Sequence, residues 1–272
     1  MAGGLTTSVA IVGTVNFIGF VITLTTKTHK VTDLLGTGAF AISALATFLL
    51  GEGGKRAAIS TVCISLWSVR LAGFLFYRIL KTSKDERLSN AFKSPAEVAG
   101  FWVASSLWGI LCLLPHTLLN FSPQQPTIGP VGVLSVALWA VGFGVEAVSD
   151  WQKWAFKNSE AGSRTWCAVG LWRFSRHPNY CGEILVWLAS FLLAAPALAR
   201  PAQGAGLGAV VGVMASNRDL VLAALSPLFT TLLLTKVSGV PLAEARNDEK
   251  FGGQEAYQTY KRNTPVLFPK AW

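Results

Sequence analysis

"GLWRFSRHPNYCGEILVWLASFLLAAPAL", residues 170–198, sets two arginines, a histidine, an asparagine and a glutamate directly against a run of hydrocarbon side chains. From about residue 183 to 199 the chain is apolar enough, and nearly long enough, to cross the ~30 Å core of a bilayer as a helix. The polar cluster at its start therefore lies at or near a membrane surface, where a plain loop has no need of so many ionisable groups. Two questions follow: how many such spans the chain has, and what the cluster serves.

The composition answers the first. Of the 272 residues, 51% are hydrophobic and 14% charged, and the mean hydropathy is +0.46, far from the averages of a soluble domain. Further apolar stretches fall at roughly 8–26, 34–51, 57–80, 98–119 and 129–149, and a shorter one, containing Pro227, at 220–235. The segment 200–218 is rich in Gly and Ala with an arginine at each end, and is not assigned as a span. The expected fold is all-α: one integral membrane domain of about seven transmembrane helices spanning residues 1–272. The chain opens on a full-length apolar stretch without a basic n-region, so no removed targeting peptide is expected.

Orientation follows from the basic residues in the connections. With the amino terminus outside, the inner connections hold Lys27 and Lys30, then Lys81, Lys84, Arg87 and Lys93, then Lys153, Lys157, Arg164, Arg173 and Arg176. The outer ones hold Lys55, Arg56, Arg200 and Arg218. Much of the net charge of +9 thus falls on one face, where it sets topology and meets anionic lipid. Membrane lipids are expected partners and nucleic acid is not. The four cysteines and three histidines show neither zinc-ligand nor HExxH spacing, so no metal is expected.

Ionisable groups within spans are costly, about 2.5–3.5 kcal/mol at a helix centre on insertion scales, and so mark cavities, partners or ligands. On the third span Trp67, Arg70, Phe74, Tyr77 and Arg78 share a broad helical face. Arg78, near the helix end, reads as snorkelling to the headgroups; Arg70, well inside, is a candidate site residue. On the fifth span Glu146, Asp150, Lys153 and Lys157 form one stripe, which suits either a site or an amphipathic helix exit with an ion pair. At the start of the sixth, Pro178 suits the first turn, His177 the cap, and Asn179 and Glu183 lie one turn apart. Amide donors there, with Arg173 and Arg176 just before, describe an anion-binding corner whose expected occupant is phosphate. In the tail, Arg246, Asp248, Tyr257, Tyr260 and Arg262 precede an apolar "PVLFP" that is expected to pack back onto the bundle.

Several motifs carry a resemblance. "DWQKWAF", "GLWRFSRHPNYCGE", "SGVPLAEARNDEKF" and "AYQTYKRNTPVLFP" in the second half, with "DLLGTGAF" and "LWSVRLAGFLFYRILKTSKDER" in the first, resemble the steroid 5-alpha-reductase superfamily and, within it, the domain-of-unknown-function 1295 subgroup. The "SRHPNYCGE" motif is shared in related forms by sterol reductases and isoprenylcysteine carboxyl methyltransferases.

The resemblance implies a seven-helix fold with an NADPH pocket in the carboxy-terminal half, about 129–272, open to the cytoplasmic side, and a substrate-side half at about 30–120. Carried over residue by residue, the cofactor residues are Asp150, Lys157, Arg176, His177, Asn179, Glu183, Arg246 and Asp248; Arg70, Arg173 of the anion-binding corner and Tyr180 complete the expected cofactor-binding set. Trp67 falls where steroid reductases have the tyrosine that holds the ketone, and Asp33 near their glutamate. Asp33 is therefore the candidate acid, with Tyr77 as the hydroxyl in place of the missing one.

The expected activity is NADPH-dependent reduction of an activated carbon–carbon double bond in a lipophilic, steroid- or isoprenoid-like substrate. Two rivals stand beside it: an S-adenosylmethionine-dependent lipid methyltransferase, and a non-catalytic lipid- or pigment-binding subunit of a larger membrane complex. The expected location is a membrane: the endoplasmic reticulum or an organelle in a eukaryote, the inner membrane in a bacterium.

Overall fold

The computed structural model describes residues 2–82, 94–200 and 217–269. Most of the Gly- and Ala-rich segment 200–218, and Lys84, Arg87 and Lys93, lie outside the described residues. The main helices are α1 (Ala2–Thr26), α2 (Thr32–Leu50), α3 (Lys55–Thr82), α4 (Pro95–Asn120), α5 (Pro130–Lys157), α6 (Pro178–Leu198), α7 (Arg218–Leu232), α8 (Val240–Phe251) and α9 (Glu255–Asn263). There is no strand among the described residues. Among the described residues seven segments are long and apolar enough to cross a membrane, the last being Arg218–Phe251. The chain is thus an all-α, multi-pass integral membrane protein. Hydrocarbon faces such as Phe17, Leu49, Val69, Val133 and Leu228 stay exposed, as lipid-facing positions do.

The chain divides into two compact units, one made of the described residues up to Val133 with those of Ser190–Ser226, the other of Leu134–Ala189 and the residues from Pro227 on. In the first unit α2 packs against α1 and α3, and α1 against α4. In hydrocarbon no hydrophobic force separates helix from lipid, so close packing and internal hydrogen bonds decide how helices associate. Ser8 meets Ser43 at 3.0 Å, and Ser68 donates to the Thr37 carbonyl at 2.7 Å. His116 is buried; its Nδ1 meets the Ser60 hydroxyl at 2.8 Å, and its Nε2 is 3.2 Å from Thr47 Oγ1 and 2.8 Å from Asn120 Nδ2.

Arg56, expected as an outer topology charge, is 2% exposed. Its guanidinium donates to the carbonyls of Pro126, Leu193 and Thr127 at 3.3, 2.9 and 2.8 Å. A buried cation is tolerated only when its donors are matched in this way.

In the second unit α5 and α6 cross at a pair of glycines. A Cβ on Gly182 would lie 2.6 Å from both the Gly142 carbonyl oxygen and the Glu146 nitrogen, and 2.8 Å from the Glu146 Cβ. Only glycine permits backbones so close. After α7, which contains Pro227, the chain widens into a π turn at Leu233–Val237 before α8. The tail folds back as expected, since the Arg176 and His177 amides donate to the Pro265 and Val266 carbonyls at 2.9 and 3.0 Å.

Candidate functional site

The loop between α5 and α6 is held before any ligand is considered. Gly170 has a positive φ of 55°, a conformation other residues adopt at a cost, and it starts the short 3-10 turn Gly170–Arg173. The turn docks on the end of α5, where Leu171 N donates to Gln152 Oε1 at 2.8 Å and Trp172 Nε1 to the Ser149 carbonyl at 2.9 Å. Lys153, from the polar stripe, sits 4.3 Å over the Trp172 ring, a cation–π contact. Tyr260 on α9 donates to the Trp172 carbonyl at 2.8 Å, and burial pushes its phenol above the ordinary range.

Against this loop lies a carboxylate that the sequence reading did not single out. Glu244 on α8 accepts from His177 Nε2 at 2.7 Å, lies 3.0 Å from Arg176 Nη1 and 3.3 Å from Lys261 Nζ. One turn on, Asp248 takes Lys261 at 2.6 Å and the Tyr257 hydroxyl at 2.9 Å. Burial works against the charge of Lys261, but its bonds to Asp248 and Glu244 prevail and hold its pKa above the ordinary value. The i,i+4 spacing of Glu244 and Asp248 puts both on one helix face, which was legible in "AEARNDEKF"; that this face meets Arg176 and His177 was not.

The consequence is a corner of mixed polarity in place of a bare cationic cradle. Two amides preceding α6 are taken by the tail, and Arg176 is offset by Glu244. Burial lowers the pKa of His177 more than the Glu244 carboxylate raises it, with Lys153 and Arg176 also lowering it, which favours the neutral imidazole. A carboxylate can only accept, so the single ring proton is on Nε2 and Nδ1 is left an acceptor. Among the buried atoms here that lack a hydrogen-bond partner are the donors Arg176 Nε and Trp166 Nε1 and the acceptors His177 Nδ1 and Asn179 Oδ1. Buried polar atoms are rarely left so without a role. Tyr180 stacks on His177, ring centroids 5.4 Å apart and planes 10° apart.

Of the expected cofactor residues, the structure therefore brings Arg176, His177, Asn179, Tyr180 and Asp248 into this region of the second unit. Arg173 is exposed beside Phe174, 5.9 Å from its ring. Arg246, two residues from both Glu244 and Asp248 and so on another face of α8, is exposed. Glu183 lies one turn into α6 from Asn179, Asp150 is half-buried on α5, and Lys157 is exposed at the end of α5. The residues missed by sequence are Glu244, Lys261 and Trp166.

Arg70, Asp33 and Tyr77 belong to the first unit. Arg70 is half-buried on α3, Asp33 lies 4.0 Å from Arg78, and Tyr77 is 44% exposed. Trp67 is fully buried against Phe40 and Trp108, with ring centroids at 5.2 and 6.1 Å. Arg78, read as a snorkelling residue, thus faces a carboxylate.

A family model described as "Protein of unknown function (DUF1295)" matches residues 19–216 and 207–264. No curated protein and no solved structure shows a match.

Proposed function

We propose that this chain, which belongs to the DUF1295 family, is an NADPH-dependent reductase of an activated carbon–carbon double bond in a lipophilic substrate. The observation that carries this reading is the corner at the start of α6, where Arg176, His177 and Asn179 each keep a buried polar atom unpartnered inside the motif that resembles sterol reductases. Donors and acceptors side by side suit a nucleotide, whose ribose hydroxyls and carboxamide both give and take hydrogen bonds. In this reading Arg176 Nε donates, His177 Nδ1 and Asn179 Oδ1 accept, and the exposed Arg173 is free to meet a phosphate. Glu244 fixes the proton of His177 on Nε2 and so keeps Nδ1 an acceptor. Bound NADPH would supply the hydride. Asp33, or Tyr77 after it, is the candidate acid toward a substrate carbonyl, an assignment that rests on the sequence resemblance.

A second reading has its own support. Trp67, at the position of the expected tyrosine, is wholly buried with the rings of Phe40 and Trp108 against it, as befits a fold that kept its core and lost its chemistry.

The test is thermal denaturation of the purified protein with NADPH and, separately, with S-adenosylmethionine. A ligand at ~100 times its dissociation constant contributes about 2.7 kcal/mol. Stabilisation by NADPH alone, lost in Asn179→Ala with the fold intact, is the expected result. Stabilisation by S-adenosylmethionine alone would establish the methyltransferase instead. With NADPH binding in hand, Asp33→Asn is expected to slow oxidation of NADPH by enone lipids ~10²–10⁴-fold; an unchanged rate removes Asp33 from the assignment.

A further inference from the structure

The first unit carries a groove that the proposed reduction does not use. It is lined by Gly13, Asn16, Phe17 and Phe20 of α1 and by Ala99, Trp102, Val103 and Ser106 of α4, and encloses about 280 Å³. On each helix the four residues stand at i, i+3, i+4 and i+7, so each presents a single face. The space arises from small residues: a Cβ on Gly13 would meet nothing within 4 Å. Phe17 and Val103 are 64% and 59% exposed, so the groove borders the lipid.

Its lining is apolar apart from Asn16, the indole N–H of Trp102 and Ser106. Asn16 and Trp102 are 1% and 3% exposed, and each has one polar atom without a partner, the acceptor Asn16 Oδ1 and the donor Trp102 Nε1. The other end of the Asn16 amide is spent on the Val12 carbonyl at 2.8 Å, which fixes the side chain. The Ser106 hydroxyl donates to the Trp102 carbonyl at 2.8 Å, so it does not serve either atom. An unpaired acceptor and an unpaired donor among hydrocarbon are both costly in a bilayer, where no bulk water can serve them.

A hydroxyl can answer both. A hydroxyl donates once and accepts twice, while a hydrocarbon tail does neither, an ether or ketone only accepts, and an ammonium only donates. We propose that the α1–α4 groove binds a membrane lipid bearing a hydroxyl, which donates to Asn16 Oδ1 and accepts from Trp102 Nε1 while its hydrocarbon fills the groove beside Phe17, Phe20 and Val103.

The test is photolabelling of the full chain in nanodiscs with a diazirine-bearing long-chain alcohol, a diazirine-bearing sterol, and the methyl ether of each. The methyl ether keeps the acceptor and loses the donor. Labelled peptides are read by mass spectrometry. At least one hydroxyl probe is expected to label α1 and α4 peptides about ten-fold more than its ether, the worth of roughly one hydrogen bond, and which probe does so tells a linear lipid from a sterol. Asn16→Leu should bring alcohol and ether to parity, and Trp102→Phe should weaken labelling by both. Because Asn16→Leu also removes the Val12 bond, Gly13→Leu provides a second route: it fills the groove and should abolish labelling. Gly38→Leu, at another open glycine of the unit, should not. Equal labelling by alcohol and ether in the parent, or no labelling of α1 and α4 by any probe, overturns the proposal.

Discussion

Glu244 is the residue on which the loop and the tail depend. It takes three basic side chains, His177, Arg176 and Lys261, within 3.3 Å, and its own side chain is 15% exposed. Glu244→Gln keeps the shape and removes the charge that these groups face. Hydrogen bonds to charged groups contribute about 1.5–3 kcal/mol, and a loss of that size in the denaturation of the purified protein is the expected outcome. Glu249→Gln, exposed on the same helix, should stay within about 0.5 kcal/mol.

His177 adds a pH dependence. Its folded pKa lies below the ordinary value of 6.5, chiefly through burial. The unfolded chain therefore binds the proton more readily, and stability is full above about pH 6.5 and falls as pH drops toward and through the folded pKa. His177→Gln should flatten the slope of melting temperature against pH in that window; a slope unchanged in the variant would assign it to another group.

At the scale of elements, the α5–α6 crossing brings two backbones of the second unit into close contact. Gly142 and Gly182 bring the two backbones within reach of each other, and α6 carries His177, Asn179 and Tyr180 at its start. Gly182→Ala would place a methyl 2.6 Å from the Gly142 carbonyl oxygen, so the helices must part. Overpacking of this kind costs about 1–3 kcal/mol. Gly144→Ala on the same helix α5 meets nothing within 4 Å and should be neutral or slightly stabilising, since alanine favours helix. Denaturation of the two variants side by side checks the pair. This contact was not legible in the sequence, because single glycines in apolar spans are common and only the crossing tells which of them touch.

For the whole molecule, seven spans among the described residues and the distribution of Lys and Arg together predict a tail on the inner side. A cysteine introduced at Gly253, in a background with Cys167 replaced, is expected to react with a membrane-impermeant maleimide only after the cell or vesicle is opened, and one introduced at Gly3 without opening. Reaction of both from the same side would mean that the spans or the charge rule had been misread.

The all-α class and seven spans among the described residues were legible in the sequence, because a bilayer imposes length and apolarity on each segment separately and both can be counted along the chain. The "SRHPNYCGE" stretch was likewise conspicuous as polar groups at a membrane boundary. What those groups do to one another was decided only by the fold. Glu244 stands 67 residues from His177, and its partnership changes the corner from cationic to mixed donor and acceptor. Arg56 looks like a topology charge until three carbonyls are found around it. Charge and hydrogen-bond capacity belong to single residues and can be read singly, but their satisfaction is a property of pairs brought together by packing, and no local pattern encodes it.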